Sequence, residues 1–565
     1  MIRRKKWIYK NHDENLVEKL CGDFGFSRLT ASVLQNRTDV VGGFNSKEQL
    51  SQKFYDPFIL KDMDRAVAHI NKALARGEKI TIFGDYDADG VTSTAVLYMY
   101  LKEKGAEVDY YIPDRIDEGY GMNTAALDRI RASGTTLIIT VDTGVTAVEE
   151  TEYAKSLGLE IIVTDHHECK SEVPDCVAVI DPKQEECPYP YKELAGVGVA
   201  FKLVTALEGE VTEELIKKYM PLVSFGTIAD VAPLTDENRR MVSLGLKHIS
   251  GCGNHGITAL LEAAGLSGKP VTASNIGFVV APRINAAGRL GNAYKSVKLF
   301  VCNDNDTAQQ IAYELSEENK RRQTMERVIF DEAVELIEKN RLHDNSVIVV
   351  ASKGWHHGVI GIVSSKITEK YYKPSILISI DGGDAKGSGR SIAAFNLFDA
   401  LTACSGDLGK FGGHALAAGL SLPAEKIDYF SKSINKYARG LLTAEDFIPS
   451  LNIDAIVENK DMTLENISQL KKLEPYGMGN PMPVFACKKA KITRITTMSE
   501  GAHVKMYLNR CGFGFEAIGF HMGDYAALFK IGDFIDLAGT LSINEYKGEV
   551  KLQLIIKDIK KLNNK

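Results

Sequence analysis

The spacing of apolar residues changes character several times along the chain, and each change marks a module. Residues 1–60 are polar and broken, and an accessory segment packed on the main sheet is expected there. Asp64 to Arg76 carries Ala66, Val67, Ile70, Ala73 and Leu74 at helical spacing and reads as an amphipathic helix. From about 78 to 300, short β-branched runs (80–83, 108–112, 137–141, 161–164, 177–180) alternate with helical stretches, the pattern of a parallel, doubly wound sheet. Asp306 to Asn340 contains neither glycine nor proline, which predicts one long connecting helix. A new α/β module begins with Ser346-Val-Ile-Val-Val-Ala351. Beyond 448, five β-rich stretches (490–497, 503–509, 513–520, 534–541, 550–556) and one helical piece at 524–530 fit an OB-like barrel. The expected division is therefore 1–60 accessory, 61–305 catalytic α/β domain, 306–340 connecting helix, 341–447 second α/β domain and 448–565 barrel.

Composition changes this picture little. The 565 residues are 44 % hydrophobic and 25 % charged, as in ordinary globular proteins. The net charge of −6 carries no overall polyanion-binding signature, so a nucleic-acid site must be a local basic groove. No apolar run reaches membrane length, and Met1-Ile-Arg-Arg-Lys-Lys-Trp7 lacks the core of a signal peptide. Nine cysteines without CxxC pairs suggest reduced thiols and a cytoplasmic location.

The candidate chemistry sits at strand ends. The strand before Gly84 runs into Asp85, Asp87 and Asp89, then Gly90 and a Thr/Ser-rich helix start. Three carboxylates this close repel one another unless a cation lies among them; the alternative is a solvated acidic loop capping a helix. A second apolar strand ends at Asp142, a third in Asp165-His166-His167, and Phe225-Gly-Thr-Ile-Ala-Asp230 adds what reads as a further buried acid. Carboxylates plus imidazole without thiolate suit Mn²⁺ or Mg²⁺ before Zn²⁺. The number of ligands exceeds the need of one ion, so two metals are expected, an arrangement suited to phosphoester hydrolysis. Leu194-Ala-Gly-Val-Gly-Val-Ala200 reads as close helix packing without a ligand, and His356-His357 lacks a matching acid.

GDYDADG, VDTG, TDHH and GTIADVAPL resemble, in order, the four motifs of the DHH phosphoesterase superfamily, and most closely its RecJ family of single-strand 5′ to 3′ exonucleases. The resemblance covers nearly the whole chain from residue 60. It implies a DHH domain, a DHHA1 domain and an OB fold, while the further C-terminal domain of longer members is expected to be absent. It also implies that Asp87, Asp89, Asp142, His166 and Asp230 ligate two Mn²⁺ or Mg²⁺ ions, with Asp142 bridging. Asp165 would support the imidazoles, and His167 would meet the scissile phosphate; Asp85 completes the catalytic set. Many DHH enzymes carry a histidine where Phe83 stands, so either water or Asp85 replaces that ligand or that ion binds weakly, and Asp85→Ala is expected to be milder than Asp89→Ala.

Substrate contacts follow the same resemblance. Arg115 in Pro113-Asp-Arg115 would clamp a phosphate, its alternative being a pair with Asp117 or Glu118. Arg283, Asn285 and Arg289 in Pro282-Arg-Ile-Asn-Ala-Ala-Gly-Arg289 would track a single strand, the alternative being a salt-bridge cluster. Ser388, Arg390 and His414, donors set among glycines, would hold its 5′ end. Tyr507, Phe513, Phe515 and Tyr546 are candidate base stackers on the barrel, the alternative for most of them being core aromatics. Lys320, Arg321, Arg322 and Arg327 face either DNA or, more simply, solvent. Expected partners are single-stranded DNA, a single-strand binding protein and a RecQ-type helicase, with the chain itself a monomer. The rival readings are a small-substrate DHH phosphoesterase (nanoRNase, cyclic-dinucleotide phosphodiesterase or pyrophosphatase) and an inactive DNA-binding scaffold.

Overall fold

The computed structural model describes residues 5–37, 54–115, 118–291, 293–546 and 548–562. The chain forms two compact units, one of Ile8–Ser316 with Asn452–Lys565, the other of Met1–Trp7 with Glu317–Leu451. In the first unit, helices α1 (Glu14–Phe24) and α2 (Arg28–Leu34) bury Val17, Leu20, Leu29, Val33 and Leu34 against Val457, Ile467, Leu470 and Phe485 of the C-terminal barrel. This corrects the expectation of packing on the main sheet for the two helices, whereas Leu60, with Phe54, Tyr55 and Ile59 beside it, does join the core of the parallel-sheet domain. An amphipathic face declares that it needs a partner and not which one. Arg37 fixes the arrangement, its buried guanidinium lying 3.5 Å from Asp454 and bonded to Asn480.

Helix α3 (Met63–Arg76) leads into the parallel sheet. Its strands are β1 (Ile80–Phe83), β2 (Val108–Tyr111), β3 (Leu137–Val141), β4 (Glu160–Thr164) and β5 (Ala178–Ile180), in the order β2-β1-β3-β4-β5. Every residue of β1 and β3 is buried, as strands covered on both faces require. The strand order reverses between β1 and β3, and such a switch point opens a crevice at the carboxyl ends of the strands. Helices α4 (Ala88–Glu103), α5 (Gly196–Glu208), α6 (Glu213–Ala229) and α7 (Ala281–Leu290) surround that crevice.

Helix α8 (Asn305–Lys339) runs unbroken for 35 residues, and the division between the units falls within it. In the second unit, β6 (Ile348–Lys353), α9 (His357–Tyr371), β7 (Ser375–Asp381), β8 (Asp384–Arg390), β9 (Lys410–His414) and β10 (Ala417–Pro423) give a sheet of order β9-β10-β8-β7-β6. Back in the first unit, β11 (Phe485–Met498), β12 (His503–Arg510), β13 (Phe513–Gly519), β14 (Phe534–Tyr546) and β15 (Glu549–Lys561) close into a barrel through the β11–β14 pairing. The barrel module meets the parallel-sheet domain at Leu234, whose amide donates to Met478 O at 2.7 Å. No helix among the described residues is long and apolar enough to cross a membrane.

Candidate metal centre and strand-binding surfaces

The turn after β1 is built from its own acids. Asp87 caps α4, its Oδ1 accepting from the amides of Asp89 at 2.9 Å and Gly90 at 3.1 Å. Asn285 Oδ1, from α7, accepts from the Ala88 amide at 2.8 Å. Gly90 must lack a side chain, since a Cβ there would stand 2.6 Å from the Cβ of Asp85. Asp85 is thereby sealed beneath the turn, beside Asp87 and Asp142.

Asp89 faces the first turn of α5, where its two oxygens accept from Gly196 N at 2.8 Å and Val197 N at 2.9 Å. A helix amino terminus favours such a negative charge. Gly196 also touches Asp142, because a Cβ there would lie 2.6 Å from Asp142 Oδ1. The Leu194–Ala200 stretch therefore does more than pack helices. Asp142 itself ends β3 at φ 60°, a left-handed conformation that costs a non-glycine residue energy and is concentrated at functional sites. Val231, immediately after Asp230, has φ 62°. Asp230 comes off the end of α6 rather than off a strand, and it is half-buried, not buried as expected.

Asp165 is fully engaged by the protein. Its Oδ1 accepts from His166 N at 2.7 Å, His167 N at 3.3 Å and His167 Nδ1 at 2.7 Å, and its Oδ2 from Val145 N at 2.9 Å. His166 points the other way, with Nε2 3.0 Å from Asp142 Oδ1 and 3.9 Å from Asp89 Oδ2.

Electrostatics agree with this division. Burial, then the charge of Asp87, holds Asp85 well above the usual carboxylate range; burial, then Asp230, does the same to Asp89, and burial, then Asp89, to Asp142. Asp230 is pushed up to about 7 by burial and Asp87. Burial opposes charge on Asp165 most strongly, but the His167 bond, the charges of His167 and His166 and the Val145 amide together outweigh it, and the net shift is downward. His167 rises to about 9 because the Asp165 bond and charge overcome burial, whereas burial and the His167 charge lower His166 to about 3.

Asp85 Oδ1, Asp142 Oδ1 and His166 Nε2 are buried without a hydrogen-bond partner. Ligand atoms within 4.8 Å of one another form three groups: Asp85, Asp87 and Asp142; Asp89, His166 and Asp230; Asp142, His166 and His167. Asp142 and His166 each belong to two groups; a carboxylate could serve two neighbouring ions, whereas an imidazole nitrogen, with one lone pair, would serve one. Orphaned oxygen and imidazole donors, with no thiolate, fit Mn²⁺ or Mg²⁺. Phe83 has no part in this set; it is buried and stacked on Tyr111 with ring centroids 5.5 Å apart.

Around the mouth of the centre, the Arg115 guanidinium lies 5.0 Å from the centroid of the Tyr86 ring, which meets Tyr120 edge-on at 6.4 Å; Tyr120 meets His167 at 6.0 Å. Reading by residue type missed Tyr120, and Tyr86 too, although the latter stands inside GDYDADG. Of the two pairings weighed for Arg115, Asp117 lies outside the described residues, and Glu118 binds Arg129 and the Tyr111 hydroxyl. Arg283 donates to Ser316 Oγ at 3.2 Å and to the carbonyls of Val279 and Ala263. Gly288 brings α7 against the acidic turn, where a Cβ would stand 2.4 Å from Tyr86 O, and Arg289 exerts its charge on Tyr86.

Ser388, Arg390 and His414 belong to the second unit. Arg390, Ala417 and His414 lie opposite one another on β8, β10 and β9, and so do Ser388, Gly419 and Gly412. Residues directly opposite share a face of the sheet. On the connecting helix, Arg322 is buried against Glu326 at 2.6 Å, and Lys320 pairs with Glu317.

On the barrel, the Tyr507 ring carries Arg494 at 5.3 Å and Lys505 at 5.1 Å, beside a pocket of about 420 Å³ lined in part by Phe513 and Lys551. Phe515 is 7 % exposed and belongs to the core; the side chain of Tyr546 lies outside the described residues.

Comparison with known proteins agrees with this architecture. The sequence matches the DHH family, N-terminal domain, over residues 79–227, the DHHA1 domain over 344–440 and the RecJ OB domain over 453–558. It is 42 % identical to the single-stranded-DNA-specific exonuclease RecJ of Bacillus subtilis, across 99 % of this chain and 71 % of that one. The Escherichia coli RecJ is 35 % identical, across 88 % of this chain and 90 % of that one. The crystal structure of Thermus thermophilus RecJ in complex with Mn²⁺ superposes with a TM-score of 0.85 at 30 % identity, covering 99 % of this chain and 80 % of that one. A second Thermus structure, with Mg²⁺, gives a TM-score of 0.78 at 29 % identity over 99 % of this chain and 79 % of that one. Four motifs converging at a switch point, followed by a DHHA1 domain and an OB barrel, place this chain in the RecJ family of DHH phosphoesterases.

Proposed function

We propose that the chain is a single-strand-specific DNA exonuclease that hydrolyses from the 5′ end and releases 5′-mononucleotides. The observation that carries this reading is the convergence of Asp85, Asp87, Asp89, Asp142, His166 and Asp230 around orphaned donor atoms, in a family whose relatives are named single-stranded-DNA-specific exonucleases. Bound Mn²⁺ or Mg²⁺ would supply Lewis-acid polarisation of the phosphoryl group and activation of water. The protein's part is to hold those ligands and the substrate. Asp165 accepts from His167 Nδ1 and its charge favours the doubly protonated imidazolium, whose Nε2–H would donate to a phosphoryl oxygen. No protein nucleophile is required.

Selection of the end falls to Ser388, Arg390 and His414. A Cβ at Gly412 would meet nothing within 4 Å, and one at Gly419 only Gly387 O at 3.9 Å, so the row beside Ser388 is open sheet surface. An arginine, a hydroxyl and an imidazole bordering bare backbone suit a terminal phosphate. Arg115, Arg283, Asn285 and Arg289 would steer the strand toward the metals, and the barrel would grip it further along by stacking and charge. A duplex offers no free strand, so this reading calls for an unwinding helicase and a strand-coating protein as partners.

The test uses a single-stranded oligonucleotide labelled at its 3′ end, with Mn²⁺, beside a blunt duplex and a 5′-blocked control. A ladder shortening from the 5′ end, absent on both controls and with Asp142→Ala, is expected. Intact oligonucleotide with turnover of dinucleotides or pyrophosphate would overturn the reading.

A further inference from the structure

A glycine inside a helix is disfavoured relative to alanine and calls for a packing reason. Gly361 lies in the second turn of α9, buried and without positive φ, so backbone freedom does not explain it. Its surroundings do. A Cβ at Gly361 would stand 2.9 Å from Ser388 Oγ, 3.2 Å from Arg390 Nη2 and 3.6 Å from Ser388 Cβ. Those are two of the three side chains that the proposed function assigns to the 5′ end.

The arrangement is anchored on both sides. Gly361, Ser364 and Thr368 follow one another along one face of α9. Thr368 Oγ1 donates to Arg390 O at 3.3 Å, and Ser364 Oγ donates at 2.9 Å to the carbonyl of Ser375, which pairs with Arg390 across the sheet. The end of β8 is therefore tied to the helix two turns beyond Gly361, and the Arg390 side chain runs back along the helix to reach it. There Arg390 Nη1 donates to Ser388 Oγ at 3.2 Å and to Gly389 O at 2.8 Å, so the two donors act as one cluster seated on the bare surface of Gly361.

We propose that Gly361 is a specificity-setting position: the absence of its side chain seats Ser388 and Arg390 for a terminal phosphate, and a methyl group there weakens discrimination between phosphorylated and hydroxyl 5′ ends. The proposal rests on the reading that Ser388 and Arg390 hold the 5′ end. The nearest atoms are tips of side chains, not backbone, so the strain of an added methyl falls on the donors. The helix itself gains propensity.

The experiment compares kcat/KM of the full chain, with Mn²⁺, on 5′-phosphorylated and 5′-hydroxyl oligonucleotides of one sequence, for wild type, Gly361→Ala and Arg390→Ala. Wild type is expected to prefer the phosphorylated end. Gly361→Ala is expected to lower that preference at least about tenfold, mainly through KM, with turnover of the hydroxyl substrate retained. A preference untouched by Arg390→Ala would overturn the reading of the end-binding residues. A preference lost in Arg390→Ala but intact in Gly361→Ala would overturn the role of Gly361 alone. An equal fall on both substrates in Gly361→Ala marks a general defect and overturns it as well.

Discussion

His166 Nε2 stands 3.0 Å from Asp142 Oδ1, and neither atom has a hydrogen-bond partner within the protein. Two buried polar atoms left in this state destabilise the fold unless something binds between them. The stability of the centre is therefore linked to its ligand. Mn²⁺ at a hundred times its Kd should add about 2.7 kcal/mol, and each kcal/mol shifts Tm by about 2–4 °C in a domain of this size. Asp142→Asn removes one of the mutually repelling charges. It is expected to raise Tm in the presence of a chelator, to abolish the Mn²⁺-dependent rise, and to lower turnover at least about 10²-fold. Thermal unfolding with and without chelator checks this. A variant that keeps the full metal-dependent rise would break the link.

Gly196→Ala is expected to behave like the loss of a metal ligand although glycine offers no ligand atom. Its methyl would come within 2.6 Å of Asp142 Oδ1 and 2.8 Å of Asp142 Cβ, at the residue whose amide also binds Asp89. Titration with Mn²⁺ should give a much weakened thermal shift and little turnover, with an unchanged far-ultraviolet circular dichroism spectrum.

Gly196 also shows what a sequence hides. The strand-borne acids were legible because an apolar run ending in a carboxylate has few structural explanations, and parallel order brings such ends to one edge. Asp230 arrives from a helix terminus, where one acid looks like any other; only its motif singled it out. The close approach of Gly196 leaves no mark beyond a missing side chain, which reads equally well as helix packing. Asn285 was legible as a polar residue in a small-residue run, but nothing local shows its carbonyl meeting the Ala88 amide of a helix almost two hundred residues earlier. The docking of the N-terminal helices on the barrel was not legible for a related reason. Val17 and Leu20 match any apolar surface, and the choice of the barrel is made by long-range pairs such as Arg37 with Asp454.

Asp85 and Asp89 should separate on mutation. Asp89→Ala removes the acceptor of two hydrogen bonds from the Gly196 and Val197 amides of α5 as well as one ligand group, so it is expected to abolish turnover and lower Tm by several degrees. Asp85 Oδ1 has no hydrogen-bond partner to lose. Asp85→Ala is expected to reduce turnover in a way that added Mn²⁺ partly restores, since its group keeps Asp87 and Asp142. Turnover measured across a Mn²⁺ series distinguishes the two; total loss in both at every concentration would contradict this order.

The barrel allows a separation of binding from chemistry. Tyr507 is half-buried on β12, directly opposite Arg494 on β11, and the cations of Arg494 and Lys505 lie over its ring. A base stacking there would meet an aromatic face already flanked by positive charge, as in single-strand grooves. Phe515, one strand away, is core. Tyr507→Ala is therefore expected to weaken binding of a long single strand by about 1–3 kcal/mol, roughly 5- to 150-fold, with kcat at saturating strand unchanged. Phe515→Ala is expected to cost about 3–5 kcal/mol of stability instead. Fluorescence anisotropy at one fixed salt concentration, beside thermal unfolding, reads both effects. Unaltered affinity in Tyr507→Ala would move the strand to another face of the barrel, because no second aromatic described on this surface carries two cations over its ring.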